Sequence, residues 1–475
     1  MTISSPETDS GQQRRPRRFK SRHLSMMALG SAIGAGFFLG TGVAVSEAGP
    51  GVFISYLLAS FIAVSVMYAL AEMASALPST GSFSSYAEAG IGRWAGFTVG
   101  WLYWFMLIMV LGMEITGAAS IFSSWFPSVP QWTVALVIVI IFGGINLMAA
   151  GNFGEVEAWL AGIKVAAIVV FMLISIALIA GIFPGREAGV TDVFSFGILP
   201  TGFAGVATAL LAILTSFGGI EIITIAAAEA ENPQQAMGHA IRSVIFRILV
   251  FYVGSVFLLI CLLPWNSAEM ATNPFASVLE MAGLPAVGRI MEAIVFMALI
   301  SAFSANVYAS SRMSYSLSAR GMGFTLLTGG EVISHGLTEK SIDGSTGELL
   351  ERTPRRAVAL SIVLSLVSVG LNWWLPESIL MILINAIGMA LVIVWVFIIV
   401  SQIRLHRRLE ESGQLTIRMP GWPYLPWIIL VAFGAVALLM ASNEAARSQL
   451  ISMTALTAII VAIYFVREKF ICRHR

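Results

Sequence analysis

The chain has 475 residues, 57% of them hydrophobic and only 11% charged, with a net charge of +1 and a mean hydropathy of +0.87. A soluble core of this length needs far more charged surface, so the composition excludes a soluble globular protein and identifies an integral membrane protein. The net charge carries no information about partners; the placement of the charges does.

Residues 1–22 form a basic tail, predicted to be disordered, with Arg14, Arg15, Arg17, Arg18, Lys20 and Arg22 clustered before the first apolar run. More spans come after that run, so it is expected to remain as an anchor rather than to be cleaved. The tail has no aromatic-rich or folded recognition module. It reads as a contact with inner-leaflet lipids or a topology signal, not as a nucleic-acid site.

Apolar runs then recur at 24–46, 51–77, 94–123, 131–149, 158–181, 204–228, 241–264, 286–318, 356–373, 378–401, 424–441 and 449–467. Each is read as a helix, because a β-barrel would show alternating segments of about ten residues. Twelve spans divide the chain into residues 23–183 (five spans), 200–401 (five spans, with a polar connection at 319–355) and 424–467 (two spans), ending in a tail at 468–475. With both termini cytoplasmic, all but three of the 27 Lys and Arg residues lie on or near the cytoplasmic side; the exceptions are Arg186, Arg289 and Arg447. This is the positive-inside pattern, and the even span count agrees with it.

Two spans are interrupted. The first contains Gly30-Ser31-Ala32-Ile33-Gly34-Ala35-Gly36, the sixth Thr215-Ser216-Phe217-Gly218-Gly219-Ile220-Glu221. Unwound backbone at membrane depth persists only where protein or a watery cavity surrounds it. Because five is odd, the second unit of five spans is inverted relative to the first, and each unit opens with a broken helix. This arrangement surrounds a central transport site. The backbone of Ala35, Gly36 and Phe37 is the candidate for a carboxylate, at the positive end of a half-helix, and the Ser31 and Ile33 carbonyls for an ammonium group. The competing reading is helix packing through the small face Gly36-x-x-x-Gly40.

From the second break, Thr215 and Ser216 supply hydroxyls, and Gly218 and Gly219 open the backbone. Phe217 is either a lid over an aliphatic side chain or ordinary core, and Glu221 either a hydrogen-bond acceptor across the break or a proton carrier. Three further groups stand out because polar side chains inside spans are expensive, roughly 2.5–3.5 kcal/mol for a Lys near a helix centre. Lys164 either snorkels to the interface or supplies a cation beside the first break. Glu114 is an ammonium or proton site, or an interhelical hydrogen-bond partner. Ser301, Ser304 and Tyr308 share one face of span eight and are candidate cavity lining. Glu72 and Arg93, near the cytoplasmic edge, pair as an inner gate or stabilise locally.

No metal or cofactor is expected. His335 and Glu339 read as a surface pair, and Cys261 and Cys472 lie at opposite sides of the membrane. No nucleophile–base set marks an enzyme. A channel's repeated carbonyl filter or charged ring is absent as well.

The run Gly30 to Gly42, Ala71-Glu72-Met73, Pro78-Ser79-Thr80-Gly81-Ser82-Phe83, Phe217-Gly218-Gly219-Ile220-Glu221, Glu229-Ala230-Glu231-Asn232-Pro233 and Ser311-Arg312-Met313 occur in order along the chain. Together they resemble the amino acid–polyamine–organocation superfamily, in particular bacterial permeases for aromatic amino acids, proline, γ-aminobutyrate and D-serine, D-alanine or glycine. The resemblance covers about residues 20–467. It implies an all-α, twelve-span, LeuT-like inverted repeat with two added helices, in the bacterial inner membrane. By resemblance the carboxylate site falls at Ala35-Gly36, the covering aromatic at Phe217, the Lys associated with proton coupling at Lys164, and the span-three acid at Glu114.

The expected function is proton-coupled uptake of neutral amino acids by alternating access. Exchange or uncoupled permeation is the nearest alternative, and a receptor or scaffold without flux is the alternative of another class. Proline, γ-aminobutyrate, small neutral and aromatic substrates all fit this reading.

Overall fold

The structure is a computed structural model that describes residues 34–77, 82–148, 153–183, 197–221, 233–283, 285–328, 355–375, 378–413, 415–442 and 444–473. Its described residues are helical apart from short connections, as expected where lipid offers no partner to an open peptide group. Ten helical stretches are long and apolar enough to cross a membrane. The first, Gly36–Ala76, contains two of the expected spans, α1 (Ala35–Ala48) and α2 (Val52–Ala76), parted by a 3-10 turn at Gly49–Gly51. Pro50 inside that turn cannot donate to the preceding helix, so the helical ladder stops there.

Next come α3 (Ser82–Gly90), α4 (Arg93–Trp125), α5 (Gln131–Met148) and α6 (Phe153–Ile179). A shorter apolar helix, α7 (Gly202–Phe217), ends at the second expected break. The next span is α8 (Pro233–Arg247) and α9 (Gly254–Leu262), joined by a π-helical stretch at Ile248–Val253. Two short helices, α10 (Ala268–Thr272) and α11 (Pro274–Met281), lead into α12 (Pro285–Ala319) and the single turn α13 (Thr325–Thr328). The chain closes with α14 (Arg355–Trp374), α15 (Ile379–Glu411), α16 (Tyr424–Ser442) and α17 (Glu444–Arg473). Each of the twelve expected spans has a helical counterpart among the described residues.

The packing is paired. α1 lies along α7, α4 along α12, and α5 along α14. α4 also touches α5, α14 and α15, while α12 touches α14, α5 and α6. α2 packs on α15 and α7, and α9 on α6 and α1. The short α3 lies on α4 and α15; the short α11 lies on α12 and α6.

Burial separates centre from rim. In α15 and α4, 78% and 67% of the apolar stretch is buried, against 22% in α16 and 11% in α17. The last two helices therefore flank the bundle, and side chains such as Leu57, Phe61, Ile140, Leu173 and Val431 face outward where lipid would meet them.

Polar side chains inside the bundle join helix to helix. At one end, Asn372 donates to Thr116 Oγ1 (2.8 Å) and accepts from Gln131 (2.8 Å), linking α14, α4 and α5. Nearby, Glu292 accepts from Trp125 Nε1 (2.6 Å) and Asn273 Nδ2 (2.5 Å). At the opposite, arginine-rich end, Arg320 donates to Ser84 and Ser85 of α3, and Arg467 donates to the Gly321 and Gly323 carbonyls.

Glu72 is fully buried there. Its Oε1 accepts from Gln402 Nε2 (2.7 Å) and lies 2.7 Å from His406 Nδ1, while Oε2 accepts from the Met419 N–H (2.7 Å). Of the two readings for Glu72, this is the stabilising one: it ties α2 to α15 and to the segment entering α16.

Replacing Glu72 with Ala strands several buried donors, each worth about 1–3 kcal/mol. The variant should unfold at a clearly lower temperature in detergent, and Gln402→Leu added to it should cost less than Gln402→Leu alone. Additive losses would mean that Glu72 and Gln402 do not act together.

Candidate functional site

The two breaks meet in space. α1 begins at Gly34-Ala35, and α7 ends at Phe217. They run antiparallel, with Gly36 against Thr215-Ser216 and Gly40 against Ala212. A Cβ on Gly36 would lie 2.8 Å from Ser216 Cα and 2.8 Å from the Thr215 carbonyl oxygen, a separation that real Cβ atoms do not show. Ser216 Oγ donates to the Gly36 carbonyl (2.5 Å). The packing reading of Gly36-x-x-x-Gly40 therefore describes the contact between these helices. A ligand role at the same backbone is a separate matter, because the helix start can bind while its flank packs.

The same antiparallel contact brings the positive end of α1 beside the negative end of α7. At the start of α1, the Phe37 N–H turns back to the Gly34 carbonyl (3.1 Å), and the Phe38 N–H does the same (3.3 Å). Ala35 and Gly36 occupy the first turn. Ser31 and Ile33 lie outside the described residues.

At the end of α7 the helix stops because the chain cannot continue through Gly218 (φ −53°, ψ 140°) and Gly219 (φ 97°). The Gly219 conformation is one that residues with a Cβ rarely adopt. Glu221 stabilises it: Oε2 accepts from the Gly219 N–H (2.8 Å), and Oε1 accepts from Trp395 Nε1 of α15 (3.2 Å). Glu221 thus makes the hydrogen bond across the break that the sequence suggested. Thr215 Oγ1 lies within bonding distance of two carbonyls, Leu211 (3.1 Å) and Ile384 (2.8 Å), and so fastens α7 to α15.

Phe217 is buried at the tip of α7, its ring 5.5 Å from that of Tyr252. Phe37, fully buried in the first turn of α1, lies 4.7 Å from the same Tyr252 ring and 5.3 Å from Phe275. Beside this cluster is a cavity of about 10 Å³ lined by Ser216, Phe217, Ile220, Val244, Arg247 and Tyr252, among others. That is about the least space one water occupies.

The remaining candidates spread along α12. Lys164 is buried, with Nζ 3.5 Å from Ser301 Oγ, so it reaches from α6 to α12. Glu114 is buried and accepts from Asn306 Nδ2 (2.7 Å). Ser304 is bonded by Asn146 Nδ2 of α5 (3.2 Å). Tyr308 is 49% exposed, with the Arg312 guanidinium 4.4 Å over its ring. The structure thus gathers Ala35, Gly36, Phe37, Thr215, Ser216, Phe217 and Gly219 at one point. It sets Lys164, Glu114 and Ser304 in interhelical contacts, and Tyr308 on a partly open face.

Sequence reasoning notes Asn306 as a polar residue of span eight but misses its pairing with Glu114, and it misses two other neighbours altogether. Asn306 carries a usable signal, since an amide inside an apolar span calls for a partner such as Glu114. Arg247, one of the charges assigned on or near the cytoplasmic side, is buried beside the second break. Trp395 sits in an unbroken apolar run, where nothing signals its bond to Glu221.

Many apolar helices packed around a helix start and a helix end of opposite polarity, which meet in the interior, are the architecture of a multi-pass membrane protein. The chain belongs to the amino acid permease family, whose model matches residues 23–475. It is a secondary active amino acid transporter of the amino acid–polyamine–organocation superfamily, not an enzyme.

Among its relatives, the aromatic amino acid transport protein AroP of Corynebacterium glutamicum is 44% identical over 94% of this chain and 94% of its own length. The γ-aminobutyric acid permease of Escherichia coli is 38% identical over 93% of this chain and 91% of its own. That of Bacillus subtilis is 34% identical over 95% and 94%.

Gly36→Ala forces a methyl group into the α7 backbone, an overpacking worth about 1–3 kcal/mol. It should lower both the thermal midpoint and uptake, whereas Ser216→Ala, losing one hydrogen bond, should cost about 1 kcal/mol. Wild-type stability in Gly36→Ala would contradict the close approach of the two helices.

Proposed function

We propose that the protein takes up neutral amino acids in symport with protons, by alternating access around the paired breaks. The observation that carries this reading is the antiparallel meeting of α1 and α7 at Gly36 and Ser216. A zwitterion needs a positive and a negative helix end a few ångströms apart, one for its carboxylate and one for its ammonium group. In this reading the backbone of Ala35, Gly36 and Phe37 holds the carboxylate, the Phe37 N–H turning to it from the Gly34 carbonyl, and the Ser31 and Ile33 carbonyls face the ammonium. Thr215, Ser216 and Gly219 shape the opposite wall, and Phe217 covers the substrate side chain. Glu114, Ser304 and Tyr308 act on specificity from α4 and α12.

Proton coupling rests on Lys164. In this reading the buried Lys164 amine, bridging α6 and α12, takes the place of a coupled sodium ion and makes a proton the coupled species. For the side chain, aromatic amino acids are the first choice and γ-aminobutyrate the second, in line with the relatives of known name.

The architecture in this reading is twelve crossings in an inverted five-helix repeat (residues 23–183 and 200–401), followed by the two helices within 424–467. Support comes from four helix contacts that correspond when the first five spans are exchanged for the next five. Thus α4 on α5 corresponds to α12 on α14, α4 on α15 to α12 on α6, α2 on α15 to α9 on α6, and α3 on α4 to α11 on α12. The arginine-rich end would face the cytoplasm of a bacterial inner membrane, with both termini inside, in keeping with the distribution of Lys and Arg.

Uptake of a labelled amino acid panel into liposomes, with and without an inward proton gradient, tests the reading. Gradient-driven accumulation of an aromatic or other neutral amino acid is the expected result. Uptake only into preloaded vesicles would mean exchange, and binding without saturable flux a receptor. Lys164→Ala should lose gradient-driven accumulation while retaining exchange; unchanged proton dependence would remove Lys164 from the coupling step.

A further inference from the structure

Tyr252 stands where the two breaks and the seventh span converge. It is 1% exposed and belongs to the π-helical stretch Ile248–Val253. A π-helical turn holds an extra residue, which rotates the rest of the helix by about 100° relative to an uninterrupted one, and such stretches recur at functional sites. The Tyr252 hydroxyl donates to the Ser216 carbonyl (3.1 Å). That carbonyl lies in the last turn of α7, where the regular helical ladder runs out of N–H donors. Its own residue, through Oγ, holds the Gly36 carbonyl of α1.

The ring makes the same connection through apolar contact. It meets Phe37 of α1 edge-on at 4.7 Å and Phe217 of α7 at 5.5 Å, so a single side chain touches both broken helices. The cavity at the second break is bounded by Ser216, Phe217 and Tyr252 together. Any shift of Tyr252 displaces the Ser216 carbonyl, and with it both the hydrogen bond to Gly36 and the aromatic tip of α7.

We propose that Tyr252 is a positioning residue for substrate binding: its hydroxyl and ring hold the end of α7 and the start of α1 in one geometry. This rests on the reading of the paired breaks as the amino acid site. Substrate then meets backbone groups whose placement is already set, and the hydroxyl contributes to affinity without itself touching the substrate.

The test is Tyr252→Phe in proteoliposomes, with uptake of the amino acid that the wild type carries. Losing one hydrogen bond of ordinary strength predicts a roughly fivefold rise in half-saturation concentration, with the maximal rate within about twofold of wild type. The thermal shift that substrate gives the detergent-solubilised protein should shrink in parallel. Tyr252→Leu, which removes the ring contacts as well, should weaken binding further. Ser361→Ala, which removes a hydroxyl of α14 paired with Ser310 (2.9 Å), should leave half-saturation unchanged.

An unchanged half-saturation in Tyr252→Phe, with normal saturable uptake by the wild type, overturns the positioning role and leaves the site intact. A fall in maximal rate and melting temperature together, at constant half-saturation, assigns Tyr252 to stability and also overturns it. Wild-type liposomes that carry no amino acid overturn the site reading itself, and this inference with it.

Discussion

Inside a bilayer an open peptide group has no water to bond, and each one left unpaired costs several kcal/mol. The rest of the structure depends on how two such openings are tolerated. They are placed side by side: Ser216 closes on the Gly36 carbonyl, Tyr252 on the Ser216 carbonyl, and Glu221 on the Gly219 N–H. What remains is a pair of helix ends of opposite polarity, a fixed electrostatic feature to which the proposed reading assigns the amino acid's charged groups. Gly36 is required because the approach leaves no room for a Cβ, and Gly219 because of its positive φ.

Polar side chains divide between two tasks. Away from the breaks they join the scaffold: Glu72 with Gln402 and His406, Asn372 with Thr116 and Gln131, Glu292 with Trp125 and Asn273. These links lie toward the two ends of the bundle, where alternating access requires helices to part and rejoin. Lys164 and Glu114 lie between them, each bonded to α12. α12 therefore receives both the coupling candidate from α6 and the acidic candidate from α4, which places it to relate the two.

The helices were legible in the sequence because continuous apolar runs of about twenty residues have few alternatives in lipid. The second break was legible for a local reason, Gly218-Gly219 inside such a run, and so was the bond from Glu221, whose carboxylate had to find a donor. Less legible was anything set by the packing of distant helices. Gly36-x-x-x-Gly40 could be read as ligand backbone or as contact face, and only the position of Ser216 shows the contact. Ser304 shared a helical face with Ser301 and Tyr308, yet Asn146 binds it, and Tyr308 lies beneath Arg312. Helical spacing defines a face but not the neighbour that meets it. The π-helical turn at Ile248–Val253 was invisible for the same reason: nothing in Ile-Leu-Val-Phe-Tyr-Val departs from an ordinary apolar span.

The central claim is that the start of α1 and the end of α7 together bind the amino acid. A structure of the protein in lipid nanodiscs, determined with its transported amino acid bound, tests it most directly. The account predicts the carboxylate against the backbone of residues 35–37, the ammonium group between the two breaks, and the side chain beneath Phe217. An amino acid bound elsewhere, with Gly36 and Ser216 still closed on each other and no ligand beside them, would contradict it.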